Sequence, residues 1–263
     1  MVKHTIEEIK KKTWKPMNGF FEVLLFDRTT IYIVWLLANF TKITPNQVSM
    51  FGALFIPLGA YFFWNAHLVI GAICMFINIF LDATDGKLAR ITNNMSKMGI
   101  IYEGNFDLLR VFLFILGLTF GYYGVINDIS IFFWGFFALY SNYFFMFLGI
   151  FTIFKIRAAE ENPKLRILGE PKTLKQISKS ARVGLVGKLK TWLNERRLEL
   201  QFITTEQEMI FFIIFPLLAV FFGFEYVKYG FITGSLIMIF TQLVKYYFFY
   251  KRNKHIKYER INP

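Results

Sequence analysis

The sequence predicts an all-α, polytopic membrane protein: six transmembrane helices preceded by an interfacial amphipathic helix. Three observations predict it. Stretches of 16 to 26 residues run nearly free of charge, and about 20 apolar residues cross a hydrocarbon core of roughly 30 Å as a helix. Short segments between them hold most of the 30 Lys and Arg. A chain that is 55% hydrophobic with 34 Phe, yet carries a net charge of +12, is too apolar for disorder and too segregated for an ordinary soluble domain.

In chain order, the amino segment MVKHTIEEIKKKTWKP is charged and lacks the apolar core and small-residue cleavage site of a secretory signal. The spans are therefore expected to direct insertion themselves. Asp27 to Phe40 is apolar but only 14 residues long; at about 1.5 Å per residue it covers roughly 20 Å, short of the hydrocarbon core, and it reads as a helix lying in the interface, the alternative being a tilted short span that joins a bundle of seven. The six spans follow as Val48 to Trp64, Leu68 to Arg90, Gly99 to Gly124, Ile129 to Phe154, Met209 to Phe224 and Tyr226 to Tyr250.

The chain thus divides into an amino segment with the interfacial helix (1–47), four spans (48–154), a basic linker (155–206), two spans (207–250) and a basic tail (251–263). The connections at 65–67, at 125–128 and near Glu225 carry almost no basic residues. Lys10, Lys11, Lys12 and Lys15, then Lys87, Arg90 and Lys97, the linker and the tail lie on the other side. The positive-inside rule makes that side cytoplasmic, with both termini on it. Basic residues bordering spans meet anionic headgroups rather than nucleic acid, so membrane lipids are the expected partner and nucleic acid is not. Leu185 to Gln201 could form a surface helix within the linker. The single Cys, Cys74, leaves no disulfide framework and no Cys metal cluster within one chain.

Chemistry is concentrated in Leu81 to Arg110, LDATDGKLARITNNMSKMGIIYEGNFDLLR. Carboxylates this close to a bilayer are costly without a compensating partner. On one helix Asp82 and Asp85 share a stripe with Gly86 and Ala89; on the next, Gly99, Glu103 and Asp107 recur at intervals of four. If the two faces oppose each other, four acids converge beside three small residues. Divalent cations would resolve their mutual repulsion, and oxygen-only ligands favour Mg²⁺ or Mn²⁺ over zinc. Arg90, one turn after Gly86, is placed to neutralise a phosphate.

This pattern resembles the signature of the CDP-alcohol phosphatidyltransferases, D-x2-D-G-x2-A-R-x8-G-x3-D-x3-D. Seven of the eight fixed positions match at unchanged spacing: Asp82, Asp85, Gly86, Ala89, Arg90, Gly99 and Asp107; Glu103 stands where the family has Asp. Thr44-Pro45-Asn46 is similar to the T-P-N that the family often carries before its first span. The resemblance implies displacement of CMP from a CDP-linked alcohol, with CDP-diacylglycerol as the usual donor, by the hydroxyl of an acceptor alcohol. It implies two divalent ions, Mg²⁺ or Mn²⁺, held by Asp82, Asp85, Glu103 and Asp107, with Asp107 also the general base. Asn46, Gly86, Ala89, Arg90 and Gly99 would contact the donor, and a second copy of the chain is an expected partner in a homodimer.

Other readings of single residues are weighed beside these. Asp82 and Asp85 could merely cap a span and pair with Lys87 and Arg90; Arg110 reads as snorkelling or pairing with an acid. Lys245, with Thr241 and Gln242 inside the last span, is a candidate contact for an acceptor or its phosphate, or a snorkelling Lys. A membrane prenyltransferase would need a second acidic motif, for which only Glu206 and Glu208 are present, at the wrong spacing. A transporter or scaffold would not need the small residues and Arg90 at these offsets.

One-sided charge predicts topology. In a Cys74→Ala background, single cysteines placed within 65–67 and 125–128 should label from outside, and those within 160–200 only from inside. External labelling of the linker would sink the six-span arrangement.

Overall fold

A computed structural model describes residues 3–15, 18–160, 165–168, 192, 195–198, 204–253 and 257–260. The first helix is α1 (Ile6–Thr13), and a π-helical turn, Glu22–Phe26, runs into α2 (Asp27–Phe40). Then follow α3 (Pro45–Ala53), α4 (Phe55–Trp64), α5 (Leu68–Thr92), α6 (Lys97–Ile126) and α7 (Ser130–Glu160). After the linker come α8 (Thr204–Met209), a second π turn (Ile210–Ile214), α9 (Phe215–Phe222) and α10 (Glu225–Asn253). Among the described residues six helical stretches are long and apolar enough to cross a membrane: Glu22–Phe40, Pro45–Trp64, Leu68–Thr92, Gly104–Ile126, Thr205–Phe222 and Glu225–Val244. Most side chains of α7 beyond Phe144 lie outside the described residues.

Glu22–Phe40 is in this set because the π turn lengthens the short apolar segment to 19 residues. The expected span Ile129 to Phe154 is not in this set; it lies in α7, whose later side chains are mostly outside the described residues. The amides of Lys3 and His4 donate to Asn39 Oδ1, and the Trp14 indole N–H donates to the Asp27 carbonyl at 3.3 Å. The charged α1 therefore runs antiparallel along the whole of α2. α1 carries Lys10, Lys11 and Lys12 in its last turn, a composition that favours headgroups over hydrocarbon.

Two helices deviate from single rods, each where a proline demands it. Pro57 lacks an amide donor and its ring opposes the carbonyl of Ala53; the chain breaks at Leu54, separating α3 from α4. Pro216 stands at the start of α9, and the π turn before it rearranges the carbonyls that its missing N–H leaves. A difference from the all-α expectation is a two-stranded antiparallel pair, β1 (Leu165–Leu168) with β2 (Lys257–Arg260), which joins linker to tail. The candidate surface helix Leu185 to Gln201 falls mostly outside the described residues.

The core is aromatic. Phe26, Phe63, Phe114, Tyr122, Phe211, Phe212 and Phe231 are all buried. Lipid tails are as apolar as these side chains, so packing density and small residues hold the helices together. On α6, Gly117 and Gly121 let the backbone of α4 touch: a Cβ at Gly117 would stand 2.4 Å from the Ala60 carbonyl oxygen, and one at Gly121 2.0 Å from that of Phe63. At the end of the bundle away from the motif, Lys228 pairs with Asp128 at 2.7 Å and Glu225 at 3.6 Å, and the Tyr122 hydroxyl donates to Glu225 at 2.7 Å. Hydrogen bonds from Lys228 and Ser130 hold the Asp128 carboxyl down at about 2.

Gly121→Ala and Gly117→Ala should each force α4 and α6 apart and cost about 1–3 kcal/mol. Gly124→Ala, where nothing lies within 4 Å, should be neutral or slightly stabilising. Thermal unfolding in detergent checks this; equal midpoints for all three variants would contradict the close approach.

Candidate active site

Three helices build the site, and local signals set where α3 and α6 begin and where α5 ends. α3 opens with a capping box: the Thr44 hydroxyl accepts from the Gln47 amide, the Gln47 side chain accepts from the Thr44 amide, and Pro45 takes the first position. α5 ends at Asn93, whose left-handed backbone (φ 52°) returns its N–H to the Ala89 carbonyl. Ser96 then caps α6 by accepting from the Gly99 amide at 2.9 Å. These caps hold the turn 93–96 and with it the register of the acidic residues on either side.

Asp82 and Asp85 line one cleft, with Ser49, Gly52 and Ala53 of α3, Asn78 of α5, and Phe106 and Arg110 of α6. The two motif faces do not simply oppose each other: α3 forms the third wall. The Ser49 hydroxyl donates to Asp85 Oδ2, and Asn78 ties the helices by donating to the Gly52 carbonyl at 2.9 Å. Asn46 comes to the rim beside Gly99, where a Cβ would stand 3.2 Å from Asn46 Oδ1. Arg90 folds back over Gly86, its Nη1 at 3.6 Å from where a Cβ would be. Ala89 lies between them, half-buried on the same stretch of α5.

Lys87 is not used by the motif acids in the way the capping reading supposed. It is buried and pairs with Asp27 at 3.3 Å and Glu22 at 3.7 Å. Asp27, equally buried, also takes Arg197 of the linker at 2.9 Å. Arg197 in turn donates to the Lys15 carbonyl and lies over the Trp14 ring. The motif helix is thereby clamped to the interfacial layer.

Arg110 pairs with acids, as read from the sequence. Its Nη2 lies 2.8 Å from Asp107 Oδ1 and 3.2 Å from each oxygen of Glu208, and its Nη1 donates to Asn78 Oδ1 at 3.1 Å. Sequence reasoning set Glu208 aside because its spacing did not form a second acidic motif. The signal that could have found it is its setting: Glu206, Gln207 and Glu208 are consecutive polar residues at the head of an apolar span, and all three are buried. Beside them Gln207 exchanges hydrogen bonds with Ser141 and Asn142 of α7.

The donor set fits a hard divalent cation. The cleft offers carboxylate oxygens and a hydroxyl without thiol or imidazole, and buried Asp107 Oδ1 has no hydrogen bond of good geometry despite the nearby guanidinium. Among the described residues no three His, Cys, Asp or Glu side chains already stand around one point. The side chain of Glu103 is outside the described residues, as is that of Lys245; both residues sit on helices, α6 and α10.

Comparison with known proteins bears on the family of the chain. A family model described as CDP-alcohol phosphatidyltransferase matches residues 42–194, more than half of the chain and all of the motif. Over 79 residues the chain is 35% identical to an archaetidylinositol phosphate synthase of Pyrococcus horikoshii, a stretch covering 30% of this chain and 42% of that relative. The match therefore spans less than half of the relative's length.

Proposed function

The chain belongs to the CDP-alcohol phosphatidyltransferase family, and from that premise we propose that it transfers a phosphatidyl or related phospho-alcohol group from a CDP-alcohol to an acceptor hydroxyl, releasing CMP. The observation that carries this reading is the meeting of Asp82 and Asp85 with Arg110 in one cleft, beside a motif that keeps seven of eight family positions. CDP-diacylglycerol is the proposed donor. The relative is named for archaetidylinositol phosphate, which puts inositol phosphate first among acceptors to screen, ahead of serine, glycerol 3-phosphate and sugars.

The chemistry is a displacement at the phosphorus that bears the donor alcohol. The acceptor oxygen forms a bond to that phosphorus, the bond to the CMP oxygen breaks, and the acceptor proton passes to Asp107. Arg90 faces the donor phosphates from above Gly86, a position without a side chain that lets the nucleotide approach the α5 backbone; Ala89, Asn46 and Gly99 complete that wall. Two divalent ions, Mg²⁺ or Mn²⁺, held by Asp82, Asp85, Glu103 and Asp107, would supply neutralisation of the diphosphate and of the departing CMP. Lys245 is proposed as a contact for an acceptor phosphate.

The site opens at the end of the bundle where the basic residues gather, the proposed cytoplasmic face. That placement suits an amphiphilic donor whose tail stays in the bilayer while its nucleotide stays in water.

Asp107→Asn keeps size but cannot accept the proton, and CMP release should fall about 10²- to 10⁴-fold, with donor binding affected less. Near-normal turnover would remove Asp107 from the mechanism. Glu103 adds one methylene to the family Asp, reaching about 1 to 1.5 Å farther, while Mg²⁺ tolerates little departure from octahedral geometry. Glu103→Gln should therefore abolish metal-dependent CMP release, and Glu103→Asp should lower it without abolishing it. Full activity in Glu103→Gln, or wild-type activity indifferent to a chelator, would show that Glu103 holds no catalytic metal.

A further inference from the structure

Glu208 lies outside the stretch that the family model matches, 98 residues from Arg110, yet it shares that arginine with Asp107. Arg110 is 6% exposed and Glu208 3%. Both sit within stretches apolar enough to span a membrane, where an ionised side chain is retained only against strong partners. The guanidinium is divided among three helices: Asp107 is its partner on α6, Asn78 on α5 and Glu208 on α8. With Glu208 removed, the buried cation would have Asp107 as its nearest carboxylate and would draw that side chain onto itself. With Glu208 present, the arginine is held from a second direction by a bundle element that carries none of the motif.

We infer that Glu208 is a positioning residue for the transfer reaction: by sharing Arg110 with Asp107, it fixes where the Asp107 carboxylate stands beside the cleft that Arg110 lines. The inference rests on the transferase reading above and extends its machinery to the fifth span. Asp107 is the group that touches the acceptor; Glu208 acts through Arg110 and touches no substrate. A purely structural ion pair would have a different consequence, since replacing both partners by neutral groups of similar size commonly preserves a fold that the loss of one partner damages.

The test measures kcat and KM for CMP release by the full chain in nanodiscs, using CDP-diacylglycerol and each accepted alcohol. It compares wild type with Glu208→Gln, Glu208→Asp, Asp107→Asn, the double variant Asp107→Asn/Glu208→Gln, and the neutral pair Arg110→Gln/Glu208→Gln. A misplaced catalytic group costs up to about 10²-fold, so Glu208→Gln should lower kcat about 10- to 10²-fold while KM for the donor changes less than about threefold. Glu208→Asp should recover part of the loss. Asp107→Asn/Glu208→Gln, read at high enzyme concentration, should be no slower than Asp107→Asn alone, because residues acting as one unit are not additive. The neutral pair should melt close to wild type and still be slow. Wild-type kcat in Glu208→Gln, full recovery in the neutral pair, or multiplied losses in the Asp107→Asn/Glu208→Gln variant would each overturn the positioning role while leaving the transferase reading in place. Absence of CMP release by wild type from any CDP-alcohol would instead overturn the transferase reading, and this inference with it.

Discussion

A guanidinium buried in a membrane bundle must carry its counter-charges with it, and Arg110 is the point at which this chain meets that constraint. Breaking a buried pair by removing one partner typically costs about 3–5 kcal/mol, because the other charge is left without compensation. The three partners of Arg110 come from α5, α6 and α8, so the same depth in the bundle must hold all three helices. The cleft lies on that joint, with Asn78 and Arg110 among its walls. The first half of the chain supplies the motif residues, and the second half supplies one of the charges that keep them in place.

A second clamp works at the surface of the bundle. Gly86 and Lys87 are neighbours on α5, about 100° apart around a helix of 3.6 residues per turn. One lies beneath Arg90 at the motif face, while the other reaches Asp27 and Glu22 in the interfacial layer. Arg197 closes this layer from the linker side through Asp27 and Trp14. The motif helix is therefore held along two directions, toward the bundle by the Arg110 joint and toward the interface by Lys87. Far from both, the group formed by Lys228, Asp128, Glu225 and Tyr122 ties the opposite connections together. Tight backbone contact between α4 and α6 at Gly117 and Gly121 sets the spacing between the two ends.

The spans were legible in the sequence because hydropathy acts over 16 residues or more, and no tertiary detail can hide such a run. The motif was legible because its spacing puts acids and small residues on one stripe of each helix. The break between α3 and α4 is also written there, in Pro57, although reading the segment only for apolar length conceals it. The third wall of the cleft was not legible: Ser49 is one hydroxyl on an apolar helix, and nothing in its neighbourhood of the sequence points to Asp85. Glu208 was visible but left without a role, since a motif search asks for spacing along the chain, whereas its partner is reached only through the fold. The π turn that extends α2, and the strand pair joining linker to tail, likewise depend on contacts between distant segments.

The charge balance around the cleft gives the chemistry its direction. Asp82, Asp85, Asp107 and Glu208 set four carboxylates against the guanidiniums of Arg90 and Arg110, all within or beside one small space at the end of a bilayer-spanning helix. Arg110 is already divided between two of those acids and cannot also turn outward to a phosphate without leaving Glu208 buried and uncompensated. Among the described residues Arg90 remains on the motif face for that task. Among these described side chains the carboxylates outnumber the guanidiniums, which disfavours an approaching diphosphate at the low effective dielectric of a membrane edge. Hard cations among the carboxylates are the ordinary way to make an acidic cleft receive an anionic substrate. Under the proposed reading, a need for such cations would arise from the commitment of Arg110 to Glu208 as well as from the carboxylates of the motif itself.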